Sequence, residues 1–361
     1  MKTFNTTRSI LSAALLATFA LSITPVPGNA ADFPQRVEIG KRSAASGVGL
    51  AEVPLLKRHL GPGMEIVAEQ LLSDLSKAED PVHTHGDFKL ERADKKMALI
   101  GEGWKLQIYG DGTTVKYRNY DYLDGPGRKP LALASRPTQA KLESLGRKFI
   151  ETKLGRHVQL DKNETLVPYF TQFQIDGGGS IAPGAKPDPE KVMASTVIFA
   201  RAVDGVPVLG PGSKIAVLFA NDGKPVGFDM DWAVYDRTGE MQKVASLKEV
   251  QGRMKGLLPF DLGATDVKTT RFECGYFDLG GRQRDADAPL QSACLIHTHK
   301  RDVFDKLAYA KDPKSGHSVH AHMGAIPAGV KVELDKSWPQ ALILLGMEPP
   351  KQEPPEEQRP R

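Results

Sequence analysis

The chain is organised around residues 196–232, TVIFARAVDGVPVLGPGSKIAVLFANDGKPVGFDMDW. Its apolar residues alternate in short runs, which predicts three β-strands. Asp204-Gly205 predicts a tight hairpin turn after the first strand, because glycine adopts positive φ at no steric cost. Asn221-Asp222-Gly223 predicts the turn before the third strand. Such a meander is marginal alone in water, so it requires a helix against one face.

Amphipathic segments supply the helices. Apolar residues at helical spacing predict helices over 64–77, 137–154 and 246–258. Gly155 is a stop signal for the second helix, and Ser246 and Glu249 predict a capping box at the start of the third.

Strand-rich sequence follows each predicted helix, at 97–122, 170–232 and from 272 onward. Residues 101–108 also align with residues 210–217 at an offset of 109 positions. We therefore predict an α+β fold of tandem repeats, each a helix packed on an antiparallel β-meander.

The predicted boundaries divide the chain into five parts. They are a signal peptide (1–30), an N-terminal repeat (31–135), a central repeat (136–240), a C-terminal repeat (241–345) and a Pro-rich tail (346–361). The tail is expected to be disordered because it is polar and rich in proline.

The first thirty residues have the pattern of a secretory signal peptide. Lys2 and Arg8 precede an apolar run, and Gly28-Asn29-Ala30 offers small residues for cleavage. An N-terminal membrane anchor is the alternative, but the run is short and is followed by Pro25 and Pro27. We expect export to the periplasm or the medium.

Composition excludes several classes of partner. Removing Lys2 and Arg8 lowers the formal net charge from +4 to +2, and aromatic residues make up 7% of the chain. Such a dispersed, nearly neutral charge does not indicate a nucleic-acid-binding protein. The apolar run 341–347 is too short to cross a bilayer, so we expect a soluble protein with no membrane span after signal cleavage.

Cys274 and Cys294 are the two cysteines of the chain. In an oxidising compartment they predict a structural disulfide between neighbouring strands. A metal-binding pair or two free thiols are the alternatives. The disulfide would stabilise the fold by about 3 kcal/mol in the chain-entropy model.

The segment 199–226 resembles the cystatin-like PepSY and FTP domains, which occur in propeptides of thermolysin-type metallopeptidases and in exported bacterial proteins. The resemblance lies in VDGVPV (203–208), KIAV (214–217) and Asp222-Gly223, and is best over 140–250. It implies a non-catalytic domain that chaperones, inhibits or docks on a secreted peptidase. The chain contains no H-E-x-x-H motif, so such a domain would act on a separate peptidase.

Histidines are the sharpest local signal for a metal. His83/His85, His297/His299 and His320/His322 form three H-x-H pairs, and His317 lies near the last pair. Residues two apart share one face of a strand, and imidazole suits zinc or copper. If the strands that carry the last two pairs are antiparallel neighbours, a zinc or copper site is predicted at His297, His299, His317, His320 and His322. Exposed strand residues without a metal are the alternative.

Catalytic motifs are absent from the sequence: it contains no nucleophile elbow, no phosphate-binding loop and no dinucleotide fingerprint. Asp229 and Asp231 share a strand face but are expected to be solvated acids. Asp285 and Asp287 lie in a predicted loop and give no stronger indication of catalysis. No catalytic residue is assigned. A Ser–His–Asp arrangement stays open because its members meet only in space.

The sequence therefore predicts an exported, non-catalytic binding protein with a chaperone-like or inhibitor-like role toward a secreted peptidase. Exposed strand edges or the loop 176–191 are the expected contacts. A zinc- or copper-binding protein and a secreted enzyme without a recognisable signature are the two alternatives.

Overall fold

The first helix-and-meander unit begins at Met64. In the computed structural model, which describes residues 52–176, 189–246, 249–250, 252–253, 267–280, 289–303 and 317–327, helix α1 spans Met64–Asp74. Four antiparallel strands follow: β2 (Phe88–Ala93), β3 (Lys96–Gly101), β4 (Trp104–Tyr109) and β5 (Thr114–Asn119). Val67, Ala68 and Leu71 of α1 are buried against this sheet. The helix predicted over 64–77 is thus confirmed with a shorter C-terminal end.

A second helix precedes the second group of strands. After α2 (Tyr120–Asp124), the short β6 (Leu131–Ala132) and a 3-10 turn (Leu133–Ser135), helix α3 spans Gln139–Phe149. The Thr138 hydroxyl accepts a hydrogen bond from the Lys141 amide and caps its N-terminus. The helix continues as a π-helical turn (Ile150–Leu154) and ends at Gly155, the predicted stop.

The second group of strands contains the stretch 196–232. It comprises β7 (Glu164–Asp176), β8 (Lys191–Val203), β9 (Val206–Leu209), β10 (Lys214–Ala220) and β11 (Pro225–Asp231). Asp204 and Gly205 both have positive φ, 51° and 76°, as the tight turn between β8 and β9 requires. Gly223, at φ 84°, turns the chain between β10 and β11. Both predicted turns are confirmed.

The two groups join through their last strands, because β5 pairs antiparallel with β11. The order β2-β3-β4-β5-β11-β10-β8-β7 follows, in which β2 and β7 are the outer strands. Helices α1 and α3 both contribute to one hydrophobic core with the inner residues of these strands. We call the side of the sheet that faces this core the core face, and the other side the open face.

The remaining strands extend the sheet. They are β1 (Glu52–Arg58), β12 (Tyr235–Lys243), β13 (Val267–Phe277), β14 (Pro289–Val303) and β15 (His317–Pro327). β13, β14 and β15 form an antiparallel meander, and β13 pairs in parallel with β9. β1 pairs with both β12 and β14. A smaller core of Val53, Leu56, Val206, Tyr276 and neighbouring residues lies under these strands.

The fold is therefore α+β, with few helices and mostly antiparallel strands, as predicted. Cys274 and Cys294 lie directly opposite each other on β13 and β14 and form the predicted disulfide. Hydrogen bonds of the sheet cross the boundaries predicted at 135/136 and 240/241, which stay predictions. Among the described residues, no helix is long and apolar enough to span a membrane.

The capping box predicted for the third helix is confirmed. Glu249 accepts hydrogen bonds from the Ser246 amide and hydroxyl, at 2.7 Å each, and its own amide donates to the Ser246 hydroxyl. The rest of that helix lies largely outside the described residues. The predicted signal peptide (1–30), the tail (346–361), Asp285 and Asp287, and most of the loop 176–191 also lie outside them.

Candidate functional site

Strand β2 is exposed along its whole length. All six of its residues, FKLERA, are exposed, including Phe88 at 42% and Leu90 at 44%. The strand pairs with β3 on one side, and no strand of the described chain pairs with its other side. In an antiparallel pair every second residue directs its N–H and C=O away from the partner strand. The outer side of β2 therefore offers backbone donors and acceptors to a further strand.

The core face of β2 is apolar. Phe88 and Leu90 lie opposite Gly101 and Leu99, so they continue the core face beyond the edge of the packed core. The Phe88 ring lies 6.1 Å from the Trp104 ring in a tilted arrangement. Leu90 has no such cover. A strand added beside β2 would meet two exposed apolar side chains on this face.

The loop before β2 is held by hydrogen bonds to the core. The Tyr117 hydroxyl donates to the His83 carbonyl at 2.6 Å and accepts from the His83 amide at 3.0 Å. The Trp104 indole N–H donates to the His85 carbonyl at 3.2 Å. These bonds fix the start of the edge strand. Burial lowers the pKa of His83, and the neighbouring His85 lowers it further.

The opposite edge of the eight-strand order, β7, is protected. Pro168 lies inside the strand and lacks an N–H, and the pairing with β8 is irregular near Pro168 and near Gln174. Most residues of β7 are at least partly buried. The Arg136 guanidinium packs over the Phe173 ring at 5.6 Å. Proline and bulges prevent an edge from accepting another strand.

A groove of about 550 Å³ lies between the π-helical turn and the start of β7. Its lining includes Ile150, Glu151, Val158, Leu160 and Glu164. Glu164 of this lining accepts a hydrogen bond from the buried Arg201 guanidinium at 3.1 Å, and that guanidinium stacks on the Trp232 and Tyr235 rings at 4.0 and 4.6 Å. The charged pair thus ties β7 to β8 beside the groove.

A buried ionic cluster lies where the extra strands meet the eight-strand order. Arg58, at the end of β1, donates to Asp278 at 2.8 Å, to the Thr113 hydroxyl at 2.7 Å and to Asp231 at 3.1 Å. The side chains of Arg58 and Asp278 are 1% and 0% exposed. Burial by itself lowers the pKa of Arg58, but the two carboxylates raise it by more, so the guanidinium stays charged.

Hydroxyl groups complete the cluster. The Tyr235 hydroxyl donates to Asp278 at 2.5 Å, so the Ser213 hydroxyl, 2.5 Å from it, donates to Tyr235 in turn. Burial and the Asp278 charge raise the pKa of Tyr235 well above its ordinary value. Each side chain of the cluster is buried or nearly so and makes at least one hydrogen bond, and among the cluster atoms only the Arg58 Nε is buried without one, so we interpret the cluster as structural.

Two glycines allow Asp278 to fit. A Cβ atom at Gly210, which has φ 85°, would lie 2.4 Å from the Asp278 carbonyl oxygen. A Cβ atom at Gly212 would lie 2.3 Å from the Asp278 carboxyl carbon. Sequence reasoning missed Arg58 and Asp278, although the Gly-Pro-Gly run was a signal for close backbone approach.

The two aspartates of β11 differ from the prediction. Asp229 and Asp231 share the open face, as predicted, but each side chain is only 12% exposed. Asp229 accepts from Arg118 at 2.8 Å, and Asp231 accepts from Arg58 and the Thr114 hydroxyl. The prediction that they are solvated acids is wrong, because basic residues from β1 and β5 reach them across the sheet.

Strands β14 and β15, which carry the C-terminal histidines, are antiparallel neighbours. In the register, His297 lies opposite Met323 and His299 opposite Ala321, while His320 and His322 lie opposite Lys300 and Thr298. Directly opposite residues belong to the same face of a strand pair. By register, His297 and His299 therefore belong to one face of the strand pair, and His320 and His322 to the other. His317, opposite Val303, is on the same face as His297 and His299.

Within the described part of the chain, no three His, Cys, Asp or Glu side chains come together in a way that would hold a metal ion. His83 and His85 interact with each other through the His85 amide, which donates to the His83 Nδ1 at 3.3 Å. The metal site at the C-terminal histidines stays a prediction.

Comparison with known proteins finds likeness in structure and not in sequence. No family model and no curated protein matches the chain. Among solved structures, an uncharacterised protein from Eubacterium rectale is similar over 78% of this chain and 87% of its own, at 9% sequence identity and a TM-score of 0.46. The edge strand β2, and not a relative, is therefore the basis on which a function is proposed.

Proposed function

We propose that the chain is an exported, non-catalytic binding protein that holds an extended segment of a co-secreted peptidase as an added strand beside β2. Its scaffold would be tandem cystatin-like repeats of the PepSY/FTP kind. The order of the elements supports this: α1 precedes β2–β5, and α3 precedes β7–β11. The signal-peptide pattern of residues 1–30 and the Cys274–Cys294 disulfide fit a protein of the periplasm or the medium.

One observation carries the proposal: β2 is an outer strand with neither proline nor bulge, and all its residues are exposed. β7, the other outer strand of the same order, has both devices. Strand addition takes its affinity from backbone hydrogen bonds and its specificity from alternate side chains. Phe88 and Leu90 supply the apolar contacts on one face.

The test compares two edges in the intact protein. The double variant Phe88→Ser with Leu90→Ser removes the exposed apolar pair of β2. Met241→Ser is the matched control, because Met241 is also an exposed apolar residue, at 52%, on the outer strand β12. Each protein is incubated with secreted peptidases from the culture medium of the producing cells. Bound peptidase is identified by mass spectrometry, and its hydrolysis of casein is measured.

We expect the unchanged protein and Met241→Ser to bind the peptidase and alter its activity, and the β2 variant to lose both effects. A photoreactive residue at position 90, and not one at position 241, should cross-link to the peptidase. Equal binding by the β2 variant, or failure to recover any peptidase, contradicts the proposal.

Metal binding is the second candidate function, supported by the register of β14 and β15, which groups His317 with His297 and His299. Zinc and copper are measured in protein purified without a histidine tag. Two double variants are compared. One carries His320→Ala and His322→Ala, and the other carries His297→Ala and His299→Ala. Because the pairs alternate in the register, we expect only one pair to be required for any bound ion. Absence of metal from the unchanged protein ends this candidate.

A further inference from the structure

The open face of strands β2–β5 is strongly basic. The register places one side chain of every two on this face, and five of these are basic: Lys89, Lys96, Lys105, Lys116 and Arg118. Glu91 is the single acidic residue at the open-face positions of these four strands. The core-face positions carry one charged residue, Arg92. Charge is therefore concentrated on one side of one half of the sheet.

Glu91 does not balance this charge. Its carboxylate accepts a hydrogen bond from Lys89 at 3.0 Å. That bond lowers the pKa of Glu91, and the nearby charges of Lys105 and Lys96 lower it further. One carboxylate thus lies near three lysines, so this face keeps an excess of positive charge.

Two of the basic residues lie directly opposite each other. Lys105 of β4 pairs with Arg118 of β5 in the register. Like charges at directly opposite positions destabilise a strand pair. Arg118 is satisfied by Asp229 and by the carbonyls of Tyr117 and Phe228. Lys105 is only partly exposed, and within the described part of the chain its side chain makes no hydrogen bond or close ion pair.

We infer that this basic face binds an acidic polypeptide segment of the partner. The inference rests on the proposed function in assigning that segment to the protein held at β2, because the basic face begins at β2 itself. An added strand would contact Phe88 and Leu90 on the core face, while its open-face side chains would lie beside Lys89. Acidic residues there, and in the chain that continues over β3 and β4, would neutralise Lys96 and Lys105.

The composition of the face favours a polypeptide over other polyanions. Tyr109, on β4, is the single aromatic residue at the open-face positions of these four strands. Nucleic-acid surfaces that tolerate many sequences stack bases on several aromatic side chains. Its apolar members, Ala93, Ala98 and Ile100, are small or partly covered and provide no large side chain for insertion into a bilayer. Rows of lysine beside an available strand edge fit a strand that alternates apolar and acidic residues.

The test uses labelled peptides of about ten residues, the upper length of common strands, in which valine alternates with glutamate, threonine or lysine. A peptide of glutamate alone tests binding to the basic face without strand addition at the β2 edge. Binding to the full-length protein is measured by fluorescence anisotropy at low and high salt. The variant is Lys96→Gln with Lys105→Gln. Its control is Lys141→Gln with Lys148→Gln, two exposed lysines of α3.

We expect the valine–glutamate peptide to bind about tenfold tighter than the valine–threonine peptide at low salt, and to lose this advantage at high salt. The face variant should lose it as well, and the α3 control should keep it. Equal affinity of these two peptides, or tighter binding to vesicles of phosphatidylserine than to the glutamate peptides, overturns the inference.

The outcomes separate this inference from the proposed function. If the peptides bind equally and the Phe88/Leu90 variant abolishes binding, strand addition stands and the acidic preference fails. If only the glutamate-only peptide binds, and the Lys96/Lys105 variant weakens it, the face binds acids but the edge does not accept a strand. If no peptide binds, both fail.

Discussion

The two outer strands of the eight-strand order, β2 and β7, are the same kind of element with opposite surroundings. β7 carries Pro168, two irregularities of register and a buried ion pair between Glu164 and Arg201. β2 is regular, and its ion pairs, Lys89–Glu91 and Arg92–Glu65, lie on the surface. An edge that must stay solitary needs devices that block pairing. β2 lacks proline and bulges and carries charged side chains instead, which leaves it open to a strand of complementary charge.

The largest effect is expected at the protected edge. Glu164→Ala leaves the Arg201 guanidinium, 1% exposed, without its carboxylate. Removing one partner of a buried ion pair costs about 3–5 kcal/mol. Urea unfolding should therefore show a large loss of stability. The double variant Glu164→Leu with Arg201→Met should recover much of the loss, because the unpaired buried charge is gone. A loss below about 1 kcal/mol would place Glu164 among ordinary surface residues.

Pro168→Val is expected to have the next largest effect, on association and not on stability. Valine restores a backbone N–H to β7 and makes it more like β2. We expect dimers that increase with concentration in analytical ultracentrifugation. The free energy of unfolding should change by at most about 1 kcal/mol. A variant that stays monomeric at high concentration would mean that the irregular register alone protects this edge.

Arg92→Ala tests an exposed ion pair on β2. Arg92 donates to Glu65 of α1 at 3.2 Å, and both side chains are more than half exposed. Exposed pairs contribute about 0.2–1 kcal/mol, so we expect a small loss that disappears at high salt. A loss comparable to that of Glu164→Ala would show that the two edges are anchored alike.

His83 gives the smallest effect, through pH. Burial lowers its pKa in the folded protein, so the unfolded chain binds the proton more readily. Stability from neutral His83 is therefore present at high pH and declines as pH falls through the ordinary histidine value of about 6.5. The protection factors of the β2 amides, which correct for the intrinsic pH dependence of exchange, should decrease modestly on acidification. His83→Gln should remove that part of the pH dependence, and an unchanged profile in the variant would contradict it.

Local chemistry explains what the sequence allowed us to predict. The Asp204-Gly205 turn, the Ser246/Glu249 capping box and the stop at Gly155 depend on residues within a few positions of one another, and all three are confirmed. The Cys274–Cys294 disulfide was predictable because its two residues lie on strands joined by a single connection.

Long-range pairing explains what was missed. The contact of β5 with β11 and the parallel contact of β9 with β13 join strands far apart in sequence. No local pattern specifies such neighbours. For the same reason the identity of the outer strands, and so the candidate binding edge, was not predictable. The burial of Asp229 and Asp231 was also missed, since their partners Arg118 and Arg58 are 111 and 173 residues away.

The Arg58 cluster has a consequence for how the chain reaches its native state. The partners of Arg58 lie 55, 173 and 220 residues further along the sequence. Contacts of such separation form late, because long loops must close first. A chain interrupted before Asp278 would hold Arg58 at a site built for two carboxylates while supplying one. Incomplete copies would thus bury the Arg58 Nη1 and the Tyr235 hydroxyl without their acceptor, and such unsatisfied buried donors favour unfolding and removal by proteases.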